Sequence, residues 1–99
     1  MNINHEGVSG EARQIGLVNR VVPAADVAAT MIEFADRLAS GPTLAIGMAK
    51  RLLNRSLDID RATAFLEEAA IQEIVTGSAD STEGIASFVE RRPAAFRGW

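Results

Sequence analysis

Apolar residues recur with helical spacing over most of this chain. Between residues 24 and 40, Val27, Met31, Phe34, Ala35 and Leu38 form one stripe, while Asp26, Thr30, Glu33, Arg37 and Ser40 lie opposite. That pattern predicts a first helix, and Glu33 with Arg37 adds a favourable i,i+4 charge pair. Ser40, Gly41 and Pro42 stop it and start another, because proline is tolerated in a first helical turn. The second helix is predicted over residues 42–55. Leu44, Ala45, Met48, Ala49 and Leu52 face inward, and Lys50, Arg51 and Arg55 gather at the dipole's negative end.

The third helix starts near Asp58 or Asp60, either of which can cap it, and runs to about Thr76 with Gly77 as the C′ residue. Ile59, Ala62, Leu66 and Ala70 make one apolar stripe, whereas Ile71, Ile74 and Val75 lie to another side. A helix apolar on two sides usually has two neighbours. In so small a domain the second is expected to be another subunit or a missing part of the same chain. The fourth helix is predicted from Asp80, with Asp80 and Glu83 at capping-box spacing. Ile85, Phe88 and Val89 are expected to face inward, and Pro93 ends the helix before a short tail. Trp99 is either a packed anchor or an exposed end.

Ahead of the helices the period changes. Over residues 17–22, Leu17, Asn19 and Val21 share one face and Val18, Arg20 and Val22 the other, which predicts a short strand closed by Pro23. Its pairing partner is not visible, and a lone strand is not stable. Residues 10–14 suit one helical turn ended by Gly16, and residues 1–9 read as a polar, flexible leader or the broken remnant of something longer. The expected fold is mainly α: four helices and one short N-terminal strand in a single domain, residues 10–99.

Composition narrows the chemistry. At 99 residues, 47% of them hydrophobic, the chain allows one modest core. A net charge of −3 argues against nucleic acid. The absence of cysteine excludes disulfides and thiolate metal sites and fits a reducing cytoplasm. No apolar run is long enough for a membrane span, and the first residues do not form a signal peptide. His5, the only histidine, sits in the leader and is a poor candidate for a catalytic dyad. Glu67 and Glu68 are adjacent, so they point about 100° apart and do not converge as paired acids would. Residues 41–50 lack the G-K-(S/T) of a phosphate loop. No catalytic or metal-binding residue is expected.

Three stretches carry a family likeness. Ala12, Ile15, Gly16, Leu17, Val18, Asn19, Val21, Val22 and Pro23 follow the pattern A-x-x-(I/L)-G-L-V-(N/D)-x-V-(V/F)-P. Ser40 and Pro42, then Lys50 and Leu53, follow S-x-P and K-x-x-(L/I). Asp80, Glu83, Gly84, Ile85, Phe88, Glu90, Arg91, Arg92, Phe96 and Gly98 follow D-x-x-E-G-(I/M/V)-x-A-F-x-E-(K/R)-R-x-x-x-F-x-G, with Ser87 in place of the alanine, and Glu68 and Gln72 also fall at family positions. In this order and spacing the chain resembles the C-terminal segment of the enoyl-CoA hydratase/isomerase (crotonase) family from about Glu11 to Trp99. It departs at the front, where Val8, Ser9, Gly10, Glu11 and Ala12 are one residue short of (I/V)-S-A-x-E-A.

The resemblance implies a crotonase-like fold and a role in fatty-acid metabolism, where full-length members add water to an acyl-CoA or shift its double bond without a metal or a separate cofactor. Their oxyanion donors and acidic residues lie upstream, and the GG-(G/A)-x-D stretch that marks them is missing from this sequence. The chain alone is therefore expected to be inactive, whether cut from a longer enzyme or encoded by a gene that has lost its front. In the family this segment covers the active site and builds a trimer, often paired into a hexamer. Phe88 falls where a phenylalanine lines the acyl pocket, and Arg91 where a cation sits near CoA phosphates. The plainer readings are a core residue for Phe88 and solvated cations at a helix end for Arg91 and Arg92, with Lys50 and Arg51 on a solvated face and Glu68 structural. Expected partners are a second or third copy of the chain, by exchange of helices in one form, or a crotonase-type N-terminal domain. The alternative is a stand-alone helical module that self-associates or caps a partner and catalyses nothing.

Overall fold

A computed structural model describes residues 5–99, with side chains from Gly7 onward. It contains five α-helices: α1 His5–Gln14, α2 Val27–Ala39, α3 Thr43–Arg55, α4 Arg61–Thr76 and α5 Ala79–Glu90. The chain divides into two compact units, Met1–Glu33 and Phe34–Trp99. No described helix is long and apolar enough to cross a membrane.

In the first unit, α1 begins at His5, inside the stretch expected to be an aperiodic leader, and Met1 to Asn4 lie outside the described residues. Gly16 ends it as expected. At φ +78 it lets Leu17 N–H reach back to the Ala12 carbonyl (2.8 Å) and its own N–H to that of Arg13 (3.1 Å). Residues 17–22 do not form the expected strand, and no strand occurs among the described residues. The alternation there is genuine, but no second strand is present to accept its backbone groups. Pro23 instead leads into a 3-10 turn, Ala24–Asp26, ahead of α2.

In the second unit, α3 packs on α4 and α4 on α5. The α3 face is nearly the one expected: Leu44, Ala45, Met48 and Leu52 are half-buried, although Ala49 is exposed. Arg55 grips Glu67 through a two-bonded fork (2.8 and 2.6 Å) that ties the end of α3 to the middle of α4. Asp60 caps α4, accepting from Thr63 N–H at 2.7 Å, and this bond holds its carboxyl below the usual range. The α4 face that packs carries Thr63, Ala64, Glu67, Ile71 and Val75, while Phe65, Leu66 and Ile74 are exposed. Gly77 ends α4 in a right-handed conformation (φ −78) rather than as a left-handed cap. Ser78 joins the two helices, donating to the Val75 carbonyl and accepting from Ser81 N–H.

Helix α5 is turned the opposite way from its expected orientation. Among the described residues no apolar side chain is buried, and the only buried residues are Asp80 (4% exposed) and Ser87. Ile85, Phe88 and Val89 are 67%, 85% and 73% exposed. The tail folds back along the polar edge of α5, bonded to Asp80 and Glu83. The α2 stripe is uncovered too, with Val27, Met31, Phe34 and Leu38 all exposed.

The end of α5 closes with the same geometry as the end of α1. Arg92 N–H reaches the Ser87 carbonyl (3.0 Å) and Arg91 N–H that of Phe88 (3.3 Å), with Arg91 at φ 54, ψ 41. The first closure places glycine at the left-handed residue and the second places arginine, whose Cβ costs about 1–2 kcal/mol there. Arg91→Gly should therefore stabilise the chain by about 1 kcal/mol. A higher urea midpoint followed by circular dichroism would bear this out, and a lower one would contradict it.

Candidate functional site

The site grows from helix geometry. Residues three apart in a helix point to the same side, so Asp80 and Glu83 face one way from the first turns of α5. Neither is the cap that their spacing suggested; Ser78 holds that place, accepting from Ser81 N–H at 3.1 Å. The two carboxylates capture the returning tail instead. Asp80 accepts from Arg97 N–H (2.6 Å) on one oxygen and Gly98 N–H (2.8 Å) on the other, and its own N–H donates to the Trp99 carbonyl (2.9 Å). Glu83 accepts from Ala95 N–H (2.8 Å) and from both terminal nitrogens of Arg92 (2.6 and 2.9 Å).

The rest of the tail is shaped around these bonds. Phe96 stands over Gly84, its ring edge 3.7 Å from where a Cβ would lie. Gly98, at φ +85, runs so close to Thr43 that a Cβ there would meet its hydroxyl at 2.8 Å. Trp99 is anchored by its backbone while its side chain stays largely exposed, so the tail is packed and the indole is not. Arg92 also reaches Glu90.

This arrangement engages both carboxylates. The Arg92 guanidinium foremost, then Ala95 N–H, holds the Glu83 carboxyl at about 2, and Arg92 is in turn raised above its usual range. A carboxylate charged at every physiological pH, with both oxygens engaged, is no general acid or base. Both oxygens of Asp80 are taken up by backbone donors. Among the described residues no group of histidine and carboxylate side chains could hold a metal ion.

On the open side of α5 the structure brings Phe88 and Arg91 together in the last turn, joined by a backbone hydrogen bond. Phe88 is not the core residue of the plainer reading. It stands with Ile85 and Val89 in an exposed stripe, and Arg91 follows with no ion-pair partner among the described residues. An apolar strip ending in an unpaired guanidinium suits a ligand with an apolar body and an anionic group. Arg92, by contrast, is not a free cation. On the other side of the helix a groove of about 290 Å3 opens between Ala79, Thr82, Ala86 and Arg97 beside the clasp. Lys50, Arg51 and Glu68 are exposed.

Sequence reading missed the clasp. Its signal was an acidic pair at positions 80 and 83 followed by an arginine and proline at 92 and 93, which local capping rules also explain.

Comparison with known proteins gives a consistent result. The enoyl-CoA hydratase/isomerase family profile matches residues 4–98. The chain is 36% identical over 84 residues to the short-chain-enoyl-CoA hydratase of Clostridium acetobutylicum, a match covering 83% of this chain and 31% of that protein. It is 35% identical over 88 residues to the crotonyl-CoA hydratase of Syntrophomonas wolfei, covering 87% and 33% respectively. The solved enoyl-CoA hydratase of Bacillus anthracis superposes with a TM-score of 0.81 at 31% identity, over 92% of this chain and 35% of that one. The chain spans about a third of the length of the relatives it matches.

The clasp carries a pH signature. Glu83 has a folded-state value near 2, below the ordinary 4.5, so its stabilisation is complete above about 4.5 and is lost as pH falls through about 2. Fluorescence of Trp99, the only tryptophan, should change over that window as the tail releases. Glu83→Gln should remove this step and leave the tail loose at neutral pH; an unchanged acid profile in that variant would refute the assignment.

Proposed function

The chain belongs to the enoyl-CoA hydratase/isomerase family, and on that premise we propose that it is the family's C-terminal helical segment, which joins subunits and covers an acyl-CoA site whose reacting groups come from elsewhere. One observation carries the reading: α5 buries Asp80 and Ser87 and leaves Ile85, Phe88 and Val89 in the open. Burying an apolar side chain of this size is worth about 1.5–3 kcal/mol. A helix that keeps its polar edge for its own tail leaves that gain to a neighbour. Phe88 lines the acyl portion of the ligand and Arg91 pairs with its phosphates, a division that the family resemblance implies and that an apolar strip ending in a cation supports.

Further exposed apolar surface is offered by α4 at Phe65, Leu66 and Ile74. It fits a chain that associates with itself, as a dimer or trimer, or with the crotonase-type N-terminal domain.

Two measurements test the reading. The chain alone should not hydrate crotonyl-CoA, followed by loss of the conjugated thioester's ultraviolet absorbance, because the engaged Asp80 and Glu83 cannot activate water; sustained turnover would contradict this. CoA titrated calorimetrically into the chain should bind about tenfold more weakly after Arg91→Ala. Equal affinity of variant and parent would remove Arg91 from the ligand contact.

A further inference from the structure

Arg91 occupies a backbone conformation that the same closure at α1 gives to Gly16. A non-glycine residue persists in the left-handed region only where its surroundings over-determine it. Here the backbone closure lies on one side of it and the Arg92–Glu83 fork on the other. Downstream of Arg91, the Arg92 guanidinium is forked onto both oxygens of Glu83, and Ala95 N–H donates to the first of them. Upstream, the Ser87 and Phe88 carbonyls receive the N–H groups of Arg92 and Arg91. The turn is thus pinned on both sides, while the Arg91 side chain has no ion-pair partner among the described residues.

Glu83 cannot itself meet a ligand that lies on Phe88. Five residues along a helix rotate the side chain by about 140°, so Glu83 sits on the tail side and Phe88 on the open side. Whatever Glu83 does for ligand binding it does through Arg91. Resting on the reading of Phe88 and Arg91 as the acyl-CoA contact, we propose that Glu83 is a positioning residue for that contact. By fixing Arg92 and Ala95 it locks Arg91 in the left-handed turn and sets where the guanidinium stands beside the apolar strip. An arginine already held in place loses less freedom on binding a phosphate than one on a loose end, so the clasp lowers the ordering cost of binding.

A double-mutant cycle tests this with CoA as the probe, titrated calorimetrically into the full chain, with helix content checked by circular dichroism. Glu83→Gln should weaken CoA binding about three- to tenfold. In an Arg91→Ala background the same substitution should change CoA affinity no further, because the group it positions is gone. Arg92→Lys, which keeps the charge and loses the fork, should behave like Glu83→Gln and serves if the latter variant does not fold. Equal factors in both backgrounds would mean a general structural role and overturn the proposal. A loss on Arg91→Ala with none on Glu83→Gln would overturn the proposal alone. No loss on Arg91→Ala, or no CoA binding by the parent chain, would overturn the ligand reading and the proposal with it.

Discussion

Two carboxylates on one edge of α5 decide how the C-terminal third of this protein is arranged. Asp80 and Glu83 together accept three backbone N–H groups of the tail and the fork of Arg92. Hydrogen bonds to a charged acceptor are stronger than neutral ones, and five of them converge here on two side chains. The strongest directional forces in the segment therefore act on the polar edge. Once that edge is committed to the tail, the helical period places Ile85, Phe88 and Val89 on the opposite side. The outward apolar stripe is a consequence of the clasp.

The absence of any buried apolar side chain among the described residues follows the same logic along the chain. The helices meet through half-buried residues such as Leu44, Met48, Leu52, Ile71 and Val75 and through polar ties such as Arg55–Glu67, an exposed pair of the kind that contributes little by itself. Covering α5 alone would return about 1.5–3 kcal/mol per side chain, against an association cost of about 4–15 kcal/mol. One stripe lies at the margin of that cost, and the exposed Phe65, Leu66 and Ile74 of α4 and Leu53 of α3 are further apolar surface open to covering.

Much of this was legible in the sequence. The four long helices, the Gly16 stop, the break at Gly41 and Pro42, and the family all followed from periodicity, breakers and motif spacing. The two-sided character of α4 also showed, though only one side is packed. What failed was orientation. Hydrophobic pattern assigns the apolar stripe to the inside, and that rule assumes the chain supplies its own interior. Phe88 and its neighbours break it where the polar edge of α5 is taken by tail contacts nine to eighteen residues along the chain, which no local period records. The strand over residues 17–22 failed for a related reason: alternation describes a strand's faces but cannot supply its partner. Arg91 stands out in the sequence by motif position alone, and its left-handed backbone, where glycine is the usual choice, had no sequence signal.

The most direct measurement is the mass of the chain in solution by light scattering across a wide concentration range, beside Phe88→Glu. If the outward stripe exists to be covered, the parent chain forms a dimer or trimer of its 10.6 kDa protomer and the variant shifts toward monomer. A parent chain that stays monomeric at every concentration and binds no apolar dye would show that the stripe is not open, and the orientation of α5 derived from Asp80 and Glu83 would be wrong.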